Sequence, residues 1–234
     1  MKRIFAFVMV LVLVAFAAPS LAAGKLVPSR ENLHVIPYYT TSVYCNFYAE
    51  LKNEGDKPVE FSSGLLELFD PDGNSIVSSG ITYCYPKVLQ PGEVGYLYSN
   101  SYVETADKNF IDDHMLSVTG QGKITQTIVR LDASAVLETV SDGYYTYNYL
   151  TALIKNNTEE IVKSFEIVYA LKDAEGNLLY VVNSYWSGYN FGIMPGSSVQ
   201  MQVQMDSTVL NYLTENIIVP AVTECIVYSV APVK

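Results

Sequence analysis

Two stretches of the chain repeat each other at a fixed spacing. Lys52-Asn53 recurs as Lys155-Asn156, Val59 as Val162, Leu68 as Leu171, Asp70 as Asp173 and Gly73-Asn74 as Gly176-Asn177, each 103 residues further on. After one residue of slippage Pro91-Gly92 recurs as Pro195-Gly196, in both cases two places beyond an apolar residue, Leu89 or Ile193. Matches at a constant period mark a repeated structural unit. Extended backwards, the offset aligns Leu33 with Val136, so the second copy is expected to begin near residue 132, dividing the chain into domains 23–131 and 132–234. The join, Leu131-Asp132-Ala133-Ser134, lacks Gly and Pro. That composition predicts restricted motion between the copies.

The start of the chain reads as an export signal. Lys2 and Arg3 precede an apolar run from Ile4 to Ala18, followed by Pro19 and the small-residue site Ser20-Leu21-Ala22. We expect residues 1–22 to be a signal peptide cleaved after Ala22, because about 15 apolar residues are too few for a bilayer that needs roughly 20. No later segment is long and apolar enough to span a membrane. The leader holds two bases and no acids, so its removal takes the net charge from −10 to −12. An acidic chain lacks the basic footprint that nucleic-acid binding requires. With half of its residues apolar it is not a disordered polymer either. A secreted or cell-surface protein is the expectation.

Within each copy the apolar period is two. Val43, Cys45, Phe47, Ala49 and Leu51 alternate with Tyr44, Asn46, Tyr48 and Glu50, and Leu150, Ala152 and Ile154 occupy the places of Phe47, Ala49 and Leu51. That is a strand burying one face. Asn53 and Asn156 suit turns closed by their own side chains. Strands around 65–69 and 167–171 lead into the hairpins Asp70-Pro71-Asp72-Gly73 and Asp173-Ala174-Glu175-Gly176, and Pro91-Gly92 and Pro195-Gly196 suit type II turns. Only 108–115 and 208–215 read as helical, each ahead of a last strand near 124–131 or 222–230. Six or seven short strands per copy predict an all-β chain of two tandem immunoglobulin-like β-sandwich domains, each with one short helical segment.

The frame Leu66-Glu67-Leu68-Phe69-Asp70, with Pro71-Asp72-Gly73 and then Leu89-Gln90-Pro91-Gly92-Glu93, resembles the FxLYD domain of bacterial secreted and surface proteins. In that family a K-N turn, an L-Y-D strand end, a D-G hairpin and a P-G-E/S turn follow in this order. The family's Phe is Leu66 in one copy and Tyr169 in the other, and its Tyr is Phe69 and Lys172. The resemblance covers roughly 43–98 and 146–202. It implies an immunoglobulin-like sandwich with no known enzymatic role and carries over no functional residues.

Chemistry-bearing patterns are sparse. Asp70, Asp72 and Asn74 begin like a calcium loop, but position twelve is Ile81 where a bidentate Glu would be needed. Asp112-Asp113-His114 groups three potential ligands that point apart, so no metal site and no cofactor is expected. Thr119-Gly120-Gln121-Gly122-Lys123 lacks the leading Gly and the trailing Ser or Thr of a phosphate loop. Cys45 and Cys84 either form a disulfide or stay buried as free thiols.

Of the 29 aromatic residues 19 are Tyr and one is Trp. With Leu150, Ala152 and Ile154 inward, Tyr145, Tyr147 and Tyr149 line the opposite face, and Tyr44 and Tyr48 match them in the first copy. Such rings serve as contact material for a protein or glycan, or as a seam under the neighbouring copy. Trp186, with Tyr185 and Tyr189, forms a second aromatic group. The expected role is noncatalytic binding or scaffolding at the cell surface. The rival readings are a carbohydrate-binding protein using these rings and a hydrolase with two convergent carboxylates at the junction of the copies.

Overall fold

The alternating segment at Val43–Leu51 becomes the central strand of a sheet in the computed structural model, which describes residues 24–188 and 191–232. The expected leader, 1–22, and Tyr189 lie outside the described residues. The strands are β1 Leu26–Tyr38, β2 Ser42–Asn53, β3 Val59–Phe69, β4 Ser75–Ile81, β5 Val88–Leu89, β6 Val94–Val103, β7 Asp113–Gln121, β8 Gln126–Ser141, β9 Thr146–Lys155, β10 Ser164–Lys172, β11 Leu178–Ser187, β12 Ser198–Gln204 and β13 Val222–Pro232. Among the described residues a 3-10 turn spans Lys108–Phe110, and one α-helix, α1, spans Ser207–Glu215 with Asp206 capping the Thr208 N–H. The chain is thus mostly strand, in several antiparallel sheets.

The pairing pattern is carried twice. Sheet β1–β2–β6 faces a sheet in which β3 holds β4 and β5 on one side and β7 on the other. After residue 125 the pairs β8–β9, β9–β12, β10–β11 and β10–β13 repeat the pairs β1–β2, β2–β6, β3–β4 and β3–β7. The Val59–Leu89 pair recurs as the bridge Val162–Ile193. Matching turns hold both sets. Asn53 and Asn156 are fully buried, and each amide donates across its turn, to the Lys57 and Leu89 carbonyls at 2.8 and 3.0 Å and to the Glu160 and Ile193 carbonyls at 2.8 and 2.7 Å. Gly92 and Gly196 take φ of 81° and 76°, where a side chain would be strained.

Two expectations are corrected. Residues 124–131 are not the last strand of the first set. That strand is β7, whose His114, Leu116 and Val118 alternate with exposed neighbours, so the helical segment expected at 108–115 shrinks to Lys108–Phe110. Residues 131–134 are not a connection but the middle of β8. Gln126–Leu131 pairs with β13, and Asp132–Ser141 pairs with β9, so one strand serves two sheets. The connection is 122–125, where the buried Glu60 carboxylate accepts from the Thr125 N–H at 2.6 Å and from its hydroxyl at 2.8 Å.

The register also decides between the two expectations for the cysteines. Cys45 sits opposite Ser101 on β6, while Cys84 lies against Gly95, six positions along the same strand. At about 3.3 Å per residue that is roughly 20 Å. A disulfide needs Cα atoms within about 7 Å, so both are buried free thiols. Burial pushes them up to about 11 and about 12, away from reactivity.

Two cores result. One joins the inner residues of β2 and β3, such as Phe47, Leu51, Phe61 and Leu68. The other joins those of β9, β10 and β11 and continues into Ile36, Tyr48 and Tyr96 of the first half. Each fully buried large apolar side chain contributes about 1.5–3 kcal/mol.

Candidate functional site

Duplication lets the two outer sheet faces be compared position by position. On β1–β2–β6 the outward residues include Asn32, His34, Tyr48, Glu50, Tyr96 and Tyr98, and the second half covers them. The Asn32 amide donates to the Leu178 carbonyl of β11, and His34 Nε2 donates to the Leu179 carbonyl at 2.8 Å. Tyr98 donates to Asn183 at 2.8 Å. Tyr48, only 2% exposed, meets Tyr180 edge-on at 5.8 Å. Burial holds the His34 imidazole below its ordinary value, the neutral form that donates from one nitrogen.

A charged cluster closes this seam. Lys172 at the end of β10 lies 2.9 Å from Glu50 and 2.7 Å from Glu224, and the Tyr96 hydroxyl donates to Glu224 at 2.6 Å. Burial raises both carboxyl groups. Hydrogen bonds from Ser29 and Lys172 outweigh that for Glu50, and those from Lys172 and Tyr96 do so for Glu224, so both are held below the usual carboxylate range. Both charges of a buried pair must be present for it to be tolerated.

The equivalent face of β8–β9–β12 is open. Tyr145, Tyr147 and Tyr149 form a ladder with ring centroids 6.3 and 6.4 Å apart, and Tyr145 is 67% exposed. Asp142 fixes the entry by accepting from the Tyr144 and Tyr145 N–H groups. Exposed Val136, Val140 and Leu153 flank the ladder. In register, Val136, Glu138, Leu153 and Gln200 stand where the first half has Asn32, His34, Glu50 and Tyr96. Every group that binds the seam has been replaced. Glu138 is satisfied within its own sheet by the Thr151 hydroxyl at 2.6 Å.

Trp186 is not part of this surface. Its ring stacks on Phe165 at 5.2 Å and 21°, at the edge of the second core, so one ring face is spent on packing. The structure therefore does not bring Trp186 together with the tyrosine ladder. Asp112, Asp113 and His114 do not converge either, since His114 pairs with Glu31 at 3.3 Å and meets Phe47 edge-on. Asp70 spends its carboxylate on the Asp72 and Asn74 N–H groups of its own turn. A junction hollow of about 470 Å³ beside α1 has Lys108 and Glu215 in its wall but no second carboxylate. No helix among the described residues is long and apolar enough to cross a membrane.

Sequence reasoning missed the seam residues His34, Lys172 and Glu224. A signal was present at Lys172, a charge closing the apolar run Ile167–Leu171. Such a run marks a strand buried on both faces. No protein-family model matches the chain, and no curated protein matches it.

Proposed function

We propose that the chain is an exported, noncatalytic binding or scaffolding protein, made of two tandem immunoglobulin-like sandwiches related to the FxLYD domain, whose partner docks on the outer face of β8–β9–β12. The observation that carries this reading is the difference between the duplicated faces. The first is matched group for group to the half that covers it, whereas the second keeps an exposed Tyr145, half-buried Tyr147 and Tyr149 and exposed aliphatic side chains and has lost the matching groups. Tyr supplies large contact area at small entropic cost, and exposed apolar patches mark interaction sites. The run at 4–18 supports export, and the acidic surface supports a partner other than nucleic acid.

The test uses residues 23–234, immobilised and exposed to surface proteins of the producing cell, beside a Tyr145→Ser, Tyr147→Ser, Tyr149→Ser variant. Capture that disappears in the variant at unchanged melting temperature is the expected result. Capture that survives it overturns the assignment of this face.

A further inference from the structure

At one end of the seam the outward face of β10 runs past the covered residues and reaches Glu166. This carboxylate stands in a row between two rings, because Glu166 pairs with Tyr185 on β11 and with Tyr228 on β13. Facing the row is the 82–87 segment of the first half, which brings Tyr83 and Tyr85. Together they enclose a cleft of about 250 Å³ to which Asn183 adds its amide. The rings of Tyr83 and Tyr85 lie 6.3 Å apart at 16°, and those of Tyr85 and Tyr98 lie 6.2 Å apart at the same angle. A second hollow, of about 170 Å³, opens on the other side of Tyr83 and Tyr85.

The polar groups of the cleft are oriented but not used up. Tyr228 donates to Glu166 Oε2, and Asn183 Oδ1 accepts from Tyr98 at 2.8 Å. Among the described residues no hydrogen bond is made to Glu166 Oε1 or by Asn183 Nδ2. A fixed carboxylate oxygen beside a fixed amide N–H accepts from and donates to neighbouring hydroxyls, while phenol rings offer flat apolar faces to C–H groups. One small ligand class combines ring C–H faces with a dense rim of hydroxyls, and that class is the pyranose sugars. The volume is below the range of about 300–1,000 Å³ of drug-sized pockets and suits a single sugar ring. Charge narrows the choice. Lys87 is tied to Glu60 at 3.0 Å, so the cleft presents an unneutralised carboxylate on a chain of net charge −10, which repels anionic sugars.

We propose that this cleft binds the terminal ring of a neutral saccharide, with the exposed Tyr83 and Tyr185 as stacking surfaces and Glu166 and Asn183 as the hydroxyl-binding pair. The second hollow extends the site to a second sugar unit. The cleft lies on the outer face of β10, away from the β8–β9–β12 ladder, so it stands whether or not that ladder docks a protein.

Saturation-transfer NMR of residues 23–234 with cellobiose, maltose, lactose and chitobiose, and with sialyllactose as the anionic comparison, tests it. The expected result is transfer to at least one neutral disaccharide and none to sialyllactose. Tyr185→Ala and Glu166→Gln each weaken binding about tenfold or more at unchanged melting temperature, and Tyr147→Ser leaves it unaltered. Tyr185 is 60% exposed, so its truncation leaves the fold intact. Silence from all four neutral disaccharides, binding that survives both cleft variants, or sialyllactose bound as well as lactose overturns the proposal. Loss of protein capture in the ladder variant with sugar binding retained separates the fate of this site from that of the ladder.

Discussion

The outer face of β2 and the outer face of β9 descend from one pattern and have opposite fates. Tyr48 is buried under β11, and its counterpart Thr151 bonds Glu138 on an open sheet. Glu50 anchors a buried lysine, while its counterpart Leu153 is exposed. Fold and surface are therefore separately specified in this chain. The inward residues and turns are kept in both halves, and the outward ones decide whether a face becomes a seam or stays available.

The strongest way to break the comparison is at its charged centre. Lys172→Met leaves Glu50 and Glu224 facing each other in the seam, and urea unfolding at pH 7 is expected to show a loss of about 3–5 kcal/mol. A loss below about 0.5 kcal/mol would mean that the seam is held by packing alone. The same cluster gives a pH signature. Both carboxyl groups sit below their unfolded values in the native state, so their contribution is present above about pH 4.3 and disappears as pH falls through the lower folded values. Unfolding midpoints measured from pH 3 to 7 should rise with pH in the parent chain. In Lys172→Met the dependence inverts, because the buried Glu50 carboxylate, left without its lysine, favours the proton.

Sharpening comes from the positions where the halves agree. Asn53→Ala and Asn156→Ala each strand one buried carbonyl, that of Leu89 or Ile193, and one part-buried carbonyl, that of Lys57 or Glu160, and are expected to cost about 2 kcal/mol. Near-equal losses in chemical denaturation would confirm that the turns play one role, and a loss confined to one half would separate them. The smallest effects belong to the open face. Leu153→Ser and Tyr147→Ser should each shift stability by less than about 0.5 kcal/mol, whereas a larger loss at Leu153 would show that this face is covered too.

How much was legible follows from range. The turns at Asp70 and Gly92, the inward set Leu150, Ala152 and Ile154, and the outward tyrosines are written in neighbours two to four residues apart, and they came through. What failed depends on partners far along the chain. Polar 108–115 allowed a helix, and only pairing with β3 draws 113–121 into a strand. The disulfide looked open on spacing until β6 set the two thiols apart. Trp186 resembled a platform because nothing near it in sequence announces Phe165 beneath it.

The clamp of Glu60 on Thr125 has a practical corollary for handling the protein. With β8 locked on both flanks, trypsin finds its target at the junction in the exposed Lys123. A cut there should give two fragments on a denaturing gel that still travel as one particle through a sizing column, since hydrogen bonds and the buried Lys172–Glu50 pair, rather than the peptide bond, keep the pieces together.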